Sequence, residues 1–318
     1  MSIMRRPLER ASGLDTVTTK QSGGAPNAVL RSGFSQPEGP VHLADGSLAI
    51  VEMGENRECV TLISPDGATR TVARPGGRPT GLALDGDGCL WVAGGPANSL
   101  VRLDPSGAEM LRVTGSRDDA FLFPNDLAFG PDGMLYMTDS GILPRELISG
   151  LAIRSDFLTY PYRGQVVRID PRKGVVERQL ARDLRFANGI AFDGDGVLHY
   201  AETLTGRIHR QPLDEAPEVF AAMAGAAVSD RFTGPDGMAF DEDGRLFCAI
   251  YGESRIAVAD PGGRPLPSLR TNGDRPTNVA FRGAERLLMV TEVANGAVEI
   301  VPTSAAGLPL HVPRIDRR

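Results

Sequence analysis

One short pattern recurs six times along this chain and leaves few folds open to it. It reads Pro37-Glu38-Gly39, Pro79-Thr80-Gly81, Pro124-Asn125-Asp126, Ala187-Asn188-Gly189, Pro235-Asp236-Gly237 and Pro276-Thr277-Asn278. Each copy opens an apolar run, such as Leu127-Ala128-Phe129 or Met238-Ala239-Phe240, while its own middle residue is never apolar. A tight turn and a second apolar run follow. Examples are Asp85-Gly86-Asp87-Gly88 before Leu90-Trp91-Val92 and Asp193-Gly194-Asp195-Gly196 before Leu198-His199-Tyr200. Asp-Gly between apolar runs marks a hairpin, because both residues tolerate positive φ. The sixth copy, Arg282-Gly283-Ala284-Glu285, has lost its Asp-Gly.

A second hairpin follows in most units, as at Ser64-Pro65-Asp66-Gly67 and Asp104-Pro105-Ser106-Gly107, which gives four strands per unit. From Glu38 through Thr80, Asn125, Asn188 and Asp236 to Thr277 the spacings are 42, 45, 63, 48 and 41 residues. Four-stranded units of that length predict an all-β, six-bladed β-propeller around a central channel, closed so that no sheet edge is left open. Amphipathic stretches long enough for the helices of a parallel α/β fold are missing. The expected organisation is a poorly structured tail over 1–26 and one propeller domain over 27–318, with Ala28-Val29-Leu30 as an outer strand fastening the ring. The long spacing places an insertion at about 141–163, whose apolar content marks it as a candidate lid.

Bulk properties narrow the function. The net charge of −6, without a basic cluster, excludes nucleic acid as the main partner. No apolar run reaches the roughly 18–20 residues of a membrane span, and no h-region follows Met1-Ser2-Ile3-Met4-Arg5-Arg6, so neither membrane nor secretion is expected. Cys59, Cys89 and Cys248 are odd in number and read as buried free thiols, which points to the cytoplasm. A small molecule is the expected partner, and oligomeric state is not encoded in any feature of the sequence.

Ring closure brings the six middle residues to one end of the channel. Proline ahead of most of them restrains the backbone that aims the side chain. Glu38, Asn125, Asn188 and Asp236 offer two carboxylates and two amide oxygens, hard donors that suit a calcium-type ion. Imidazole and thiolate, favoured by softer metals, occupy none of the six positions. Asn and Asp also cap ordinary turns, but Glu38 is a poor turn residue.

These motifs resemble the senescence-marker-protein / gluconolactonase / luciferin-regenerating-enzyme-like family. The resemblance rests on Glu38-Gly39-Pro40-Val41, Pro124-Asn125-Asp126, Asn188-Gly189-Ile190 and Gly234-Pro235-Asp236-Gly237-Met238, in that order, and spans about residues 35–300. The stretches from Ala187 to Ile208 and from Gly234 to Arg255 are most similar to its bacterial lactonase branch. The resemblance implies a six-bladed propeller that uses one divalent cation to hydrolyse a lactone. Glu38, Asn188 and Asp236 would be ligands, and Asn125 a further ligand or a contact to substrate and water. Calcium is the first choice of ion, with zinc, manganese or magnesium as alternatives. Asp236 is the expected general base, and Thr80, Phe123, Asn125 and Thr277 are the expected substrate contacts.

Phe123 departs from the family pattern, since sugar-lactone members often carry Arg there. Hydroxyls buried against an apolar wall without partners cost about 1–3 kcal/mol each, so a less hydroxylated lactone is expected. His42 is expected in the channel wall, Trp91 in the core, and Glu202 and Glu292 in turn or ion-pair roles. Two alternatives stay open: a lyase, isomerase or condensing enzyme on the same scaffold, and a non-catalytic propeller that serves as an interaction platform.

Overall fold

The computed structural model describes residues 25–149, 152–227 and 231–315. Most of the expected 1–26 tail therefore lies outside the described residues. Six antiparallel four-stranded sheets follow one another around a ring, each in simple up-and-down order. The innermost strands are Pro37–His42, Leu82–Leu84, Pro124–Phe129, Ala187–Phe192, Gly234–Phe240 and Pro276–Phe281. Each touches the innermost strand of the next blade, and the last touches the first.

The sixth blade takes three strands from the C-terminal part of the chain, Pro276–Phe281, Leu287–Glu292 and Ala297–Pro302. Its outer strand is Ala28–Ser32, paired antiparallel with Ala297–Pro302. The expected fastening strand is thus present, and it joins the two ends of the propeller. The expected Asp-Gly turns form at the opposite ends of the inner strands, with Gly46, Gly88, Gly133, Gly196 and Gly244 all at positive φ.

Inner strands are buried on both faces, whereas outer strands such as Thr69–Ala73 and Glu109–Val113 are largely exposed. The core accordingly lies between blades. Val41, Val51 and Val60 of blade one pack on Leu82, Val92 and Leu103 of blade two. Trp91 is fully buried, as expected, and donates from its indole Nε1 to Asp85 Oδ2 at 3.0 Å.

The C-terminal segment crosses the Asp-Gly face of the ring. Glu242 N donates to Ala306 O at 2.9 Å, the His311 ring meets Phe192 edge-on, and Gly86 N donates to Pro313 O at 2.8 Å. This strap leaves the other face as the way into the channel. Cys59, Cys89 and Cys248 are all buried. Among the described residues no helix is long and apolar enough to cross a membrane.

Candidate functional site

The middle residues of the repeat stand where the inner strands break register. Bulges lie between Glu38 and Val41, Pro124 and Leu127, Ala187 and Ile190, Pro235 and Met238, and Pro276 and Asn278. A bulge bends the strand and re-aims its side chains, which is how residues of a flat ladder turn toward the channel. An acid at the end of the second strand steadies the entry to four of these bulges. Glu52 accepts from Ser35 N, Asp139 from Leu122 N and Phe123 N, Glu202 from Arg185 N, and Glu292 from Arg275 N, all at 2.8–2.9 Å. Glu202 and Glu292 therefore hold turns, in keeping with the expectation for them.

Glu38, Asn125, Asn188 and Asp236 are all buried. The two asparagines are held by matching relays. Asn125 Nδ2 donates to Ser140 Oγ at 2.9 Å, and that hydroxyl donates to Ala187 O of the next blade at 2.9 Å. Asn188 Nδ2 donates to Thr203 Oγ1 at 3.1 Å, which donates to Pro235 O of the next blade at 2.8 Å. With Nδ2 committed in this way, Asn188 Oδ1 is sealed from solvent and has no hydrogen-bond partner.

Two residues that the repeat pattern did not single out complete the site. The third position of the motif is Gly in four copies but Asp126 and Asn278 in blades three and six, which face each other across the ring. Asn278 Nδ2 lies 3.4 Å from Asp126 Oδ2 and 3.3 Å from Glu38 Oε2. The glycines make room for this floor: a Cβ on Gly237 would sit 2.0 Å from Asn278 Cγ, and one on Gly39 2.5 Å from Thr80 O. The legible signal was the two exceptions to glycine.

Electrostatics ties the acids together. Burial, then the charges of Asp236 and Asp126, raises the Glu38 carboxyl well above the usual carboxylate range. Burial and then Asp126 do the same to Asp236, offset in part by a hydrogen bond from Asn188. Burial pushes Asp126 up to about 6. Among the described residues no cationic side chain is one of the main groups acting on these three.

Thr80 and Thr277 are buried at the equivalent positions, but their hydroxyls donate to Pro124 O and Pro37 O of the next blade, each at 3.0 Å. Those protons join blades in the same manner as Ser140 and Thr203. His42 sits at the far end of its strand, paired in register with Leu48 next to the Asp-Gly turn. Burial lowers its pKa to about 4.

Phe123 is buried in an aromatic cluster with Phe186, Ile142, Leu147, Phe157 and Tyr162. Four of these partners belong to the insertion, which carries a short helix, Pro144–Leu147, and a two-stranded hairpin. The insertion thus packs over the blade three and four side of the mouth, beside Asn125 and Asn188.

Among the described residues no group of three or more His, Cys, Asp or Glu side chains is arranged to hold a metal ion. The oxygen donors that could hold a cation here are instead Glu38 and Asp236 together with the amide oxygens of Asn188 and Asn125. The unpartnered Asn188 Oδ1 beside the buried Asp236 carboxylate fits a hard cation.

The sequence model of the SMP-30/gluconolactonase/LRE-like region matches residues 113–294. Diisopropyl-fluorophosphatase from Loligo vulgaris is 28% identical over 287 residues, 82% of this chain and 87% of that protein. Lactonase drp35 from Staphylococcus epidermidis is 32% identical over 153 residues, which span 47% of this chain and 42% of that protein. A solved structure of regucalcin, a calcium-binding protein from Agrobacterium tumefaciens, superposes with a TM-score of 0.72 at 22% identity, covering 91% of this chain and 97% of that one.

Proposed function

The chain belongs to the SMP-30/gluconolactonase/LRE-like family, and from that membership we propose that it is a metal-dependent hydrolase that opens a lactone. Relatives named for hydrolysing lactones and diisopropyl fluorophosphate support a hydrolase. The observation that carries the metal dependence is Asn188 Oδ1, buried and unpartnered beside carboxylates that no cationic side chain among the described residues neutralises.

Glu38, Asn125, Asn188 and Asp236 would hold the ion; their hard oxygens suit calcium, magnesium or manganese better than zinc, and calcium is the first choice. When bound, a divalent cation there supplies Lewis acidity toward an ester carbonyl. The residues of the chain do the rest. Ser140 and Thr203 fix the two amides, so the donors need no reorganisation. Asp236 accepts the proton of the water whose oxygen attacks the acyl carbon. The ring C–O bond then breaks, and that proton passes to the departing alkoxide to give the open hydroxy acid. The aromatic wall around Phe123 gives no partner to a polyol, which favours a less hydroxylated lactone.

The test is dialysis against a chelator followed by return of calcium, with hydrolysis of a simple aromatic or aliphatic lactone as readout. Activity is expected to vanish and then return. Hydrolysis indifferent to the chelator overturns the metal reading.

A further inference from the structure

The residue two places ahead of each site position divides the mouth into unlike halves. On blades three and four it is Phe123 and Phe186, whose rings meet edge-on at 6.3 Å. Phe232, just ahead of the blade-five strand, continues the aromatic arc at 5.2 Å from Phe186. On blades six, one and two the same place holds Arg275, Gln36 and Arg78. One arc is aromatic and the facing arc is polar and cationic.

Arg78 is the unusual member. Its Nη2 donates to Gln36 Oε1 at 2.8 Å and its Nη1 to Met53 O at 3.3 Å, both uncharged acceptors. Its Nε is sealed from solvent and has no partner. Among the described residues no carboxylate forms an ion pair with it, and burial lowers its pKa against only the more distant pull of Tyr251 and Glu58. A partly desolvated guanidinium held by neutral groups is costly unless an anion completes it. Its planar fork also matches a carboxylate better than any neutral acceptor.

Neighbouring groups support the same assignment. Tyr251, on blade five opposite Arg78, feels the charges of Arg275, Asp236 and Arg78 together. Among the described residues its hydroxyl has no hydrogen-bond partner. Arg275 stands at the rim, loosely paired with Asp274 at 3.7 Å and well exposed.

We propose that the mouth is built for an ester substrate that carries a carboxylate: Arg78 binds the carboxylate, Tyr251 and Arg275 flank it, and the lactone ring lies toward Phe123, Phe186 and Phe232. This assignment rests on the lactonase reading and narrows its substrate class. Opening such a lactone yields a hydroxy dicarboxylate, so the enzyme would act where a carboxylated ring is converted to an open diacid.

The experiment compares a γ-lactone bearing a carboxylate with its methyl ester, for the native protein, Arg78→Met, Arg78→Lys and Tyr251→Phe. The native protein is expected to prefer the acid at least tenfold in kcat/KM. That preference should collapse in R78M through KM, recover in part in R78K, and shrink in Y251F. Binding of glutarate, an inert dicarboxylate, is measured alongside by calorimetry and is expected to be lost in R78M. A native protein that prefers the methyl ester, or a preference unchanged in R78M, overturns the assignment while leaving lactone hydrolysis in place. If no lactone is turned over, Arg78-dependent glutarate binding still supports the anion site, and its absence refutes it.

Discussion

Replacing Thr203 with Val isolates the positioning of Asn188 from its chemistry. Thr203 is completely inaccessible, and its hydroxyl makes two bonds: it accepts from Asn188 Nδ2 at 3.1 Å and donates to Pro235 O at 2.8 Å. Valine keeps the shape and removes both. A buried group left without its partner costs about 1–3 kcal/mol, so orphaning one donor and one acceptor should cost about 2–6 kcal/mol in total. Pro235 directly precedes Asp236, so the same change loosens two proposed ligands on adjacent blades. Supporting contacts of this kind typically alter metal affinity by about 10–100-fold. Urea unfolding gives the first quantity, and calcium titration by calorimetry the second. Thr203→Ser is the control: it keeps the hydroxyl and loses one methyl, at about 1 kcal/mol of stability with calcium affinity near native. If T203V binds calcium as tightly as the native protein, or if T203S weakens binding equally, the relay does not position the site.

Asp236→Ala should remove lactone turnover while far-ultraviolet circular dichroism stays native; an unchanged rate would strip Asp236 of its role as base. Acid stability should reflect His199, which burial between Phe220 and Phe240 pushes down to about 4. The unfolded chain takes up that proton near pH 6.5 and the folded protein only near pH 4. Stability is therefore full above pH 6.5 and falls as pH drops toward 4, by about 3 kcal/mol from this residue. Denaturant midpoints between pH 4 and 7 should show a slope that flattens in His199→Phe. Deleting residues 1–32 removes the outer strand of blade six and exposes the edge of Ala297–Pro302. That variant should lose cooperative unfolding or self-associate in size-exclusion chromatography.

Much of the site was already visible in the repeat because it depends on local chemistry. Proline before the site residue and the polar middle residue recur at blade spacing, so Glu38, Asn125, Asn188 and Asp236 could be found without coordinates. Asp126 and Asn278 were hidden because their significance lies in meeting each other from opposite blades, 152 residues apart in sequence. Thr80 and Thr277 matched the pattern equally well, yet their hydroxyls join neighbouring blades, as do those of Ser140 and Thr203. Nothing local distinguishes a hydroxyl aimed at a ligand from one aimed at the next blade's carbonyl.

The chain's own order of residues thus determined the number of blades, the turn chemistry, the direction of each inner strand and the register that repeats around the ring. Alternating burial and Asp-Gly turns are short-range properties, and they act the same way in every copy. Tertiary structure alone decided which carboxylates share one desolvated space, which asparagine oxygen is left without a donor, and which arginine has its Nε sealed from solvent with no counter-charge beside it. Those outcomes depend on the distance between blades and on the exclusion of water, and neither exists until the ring has closed.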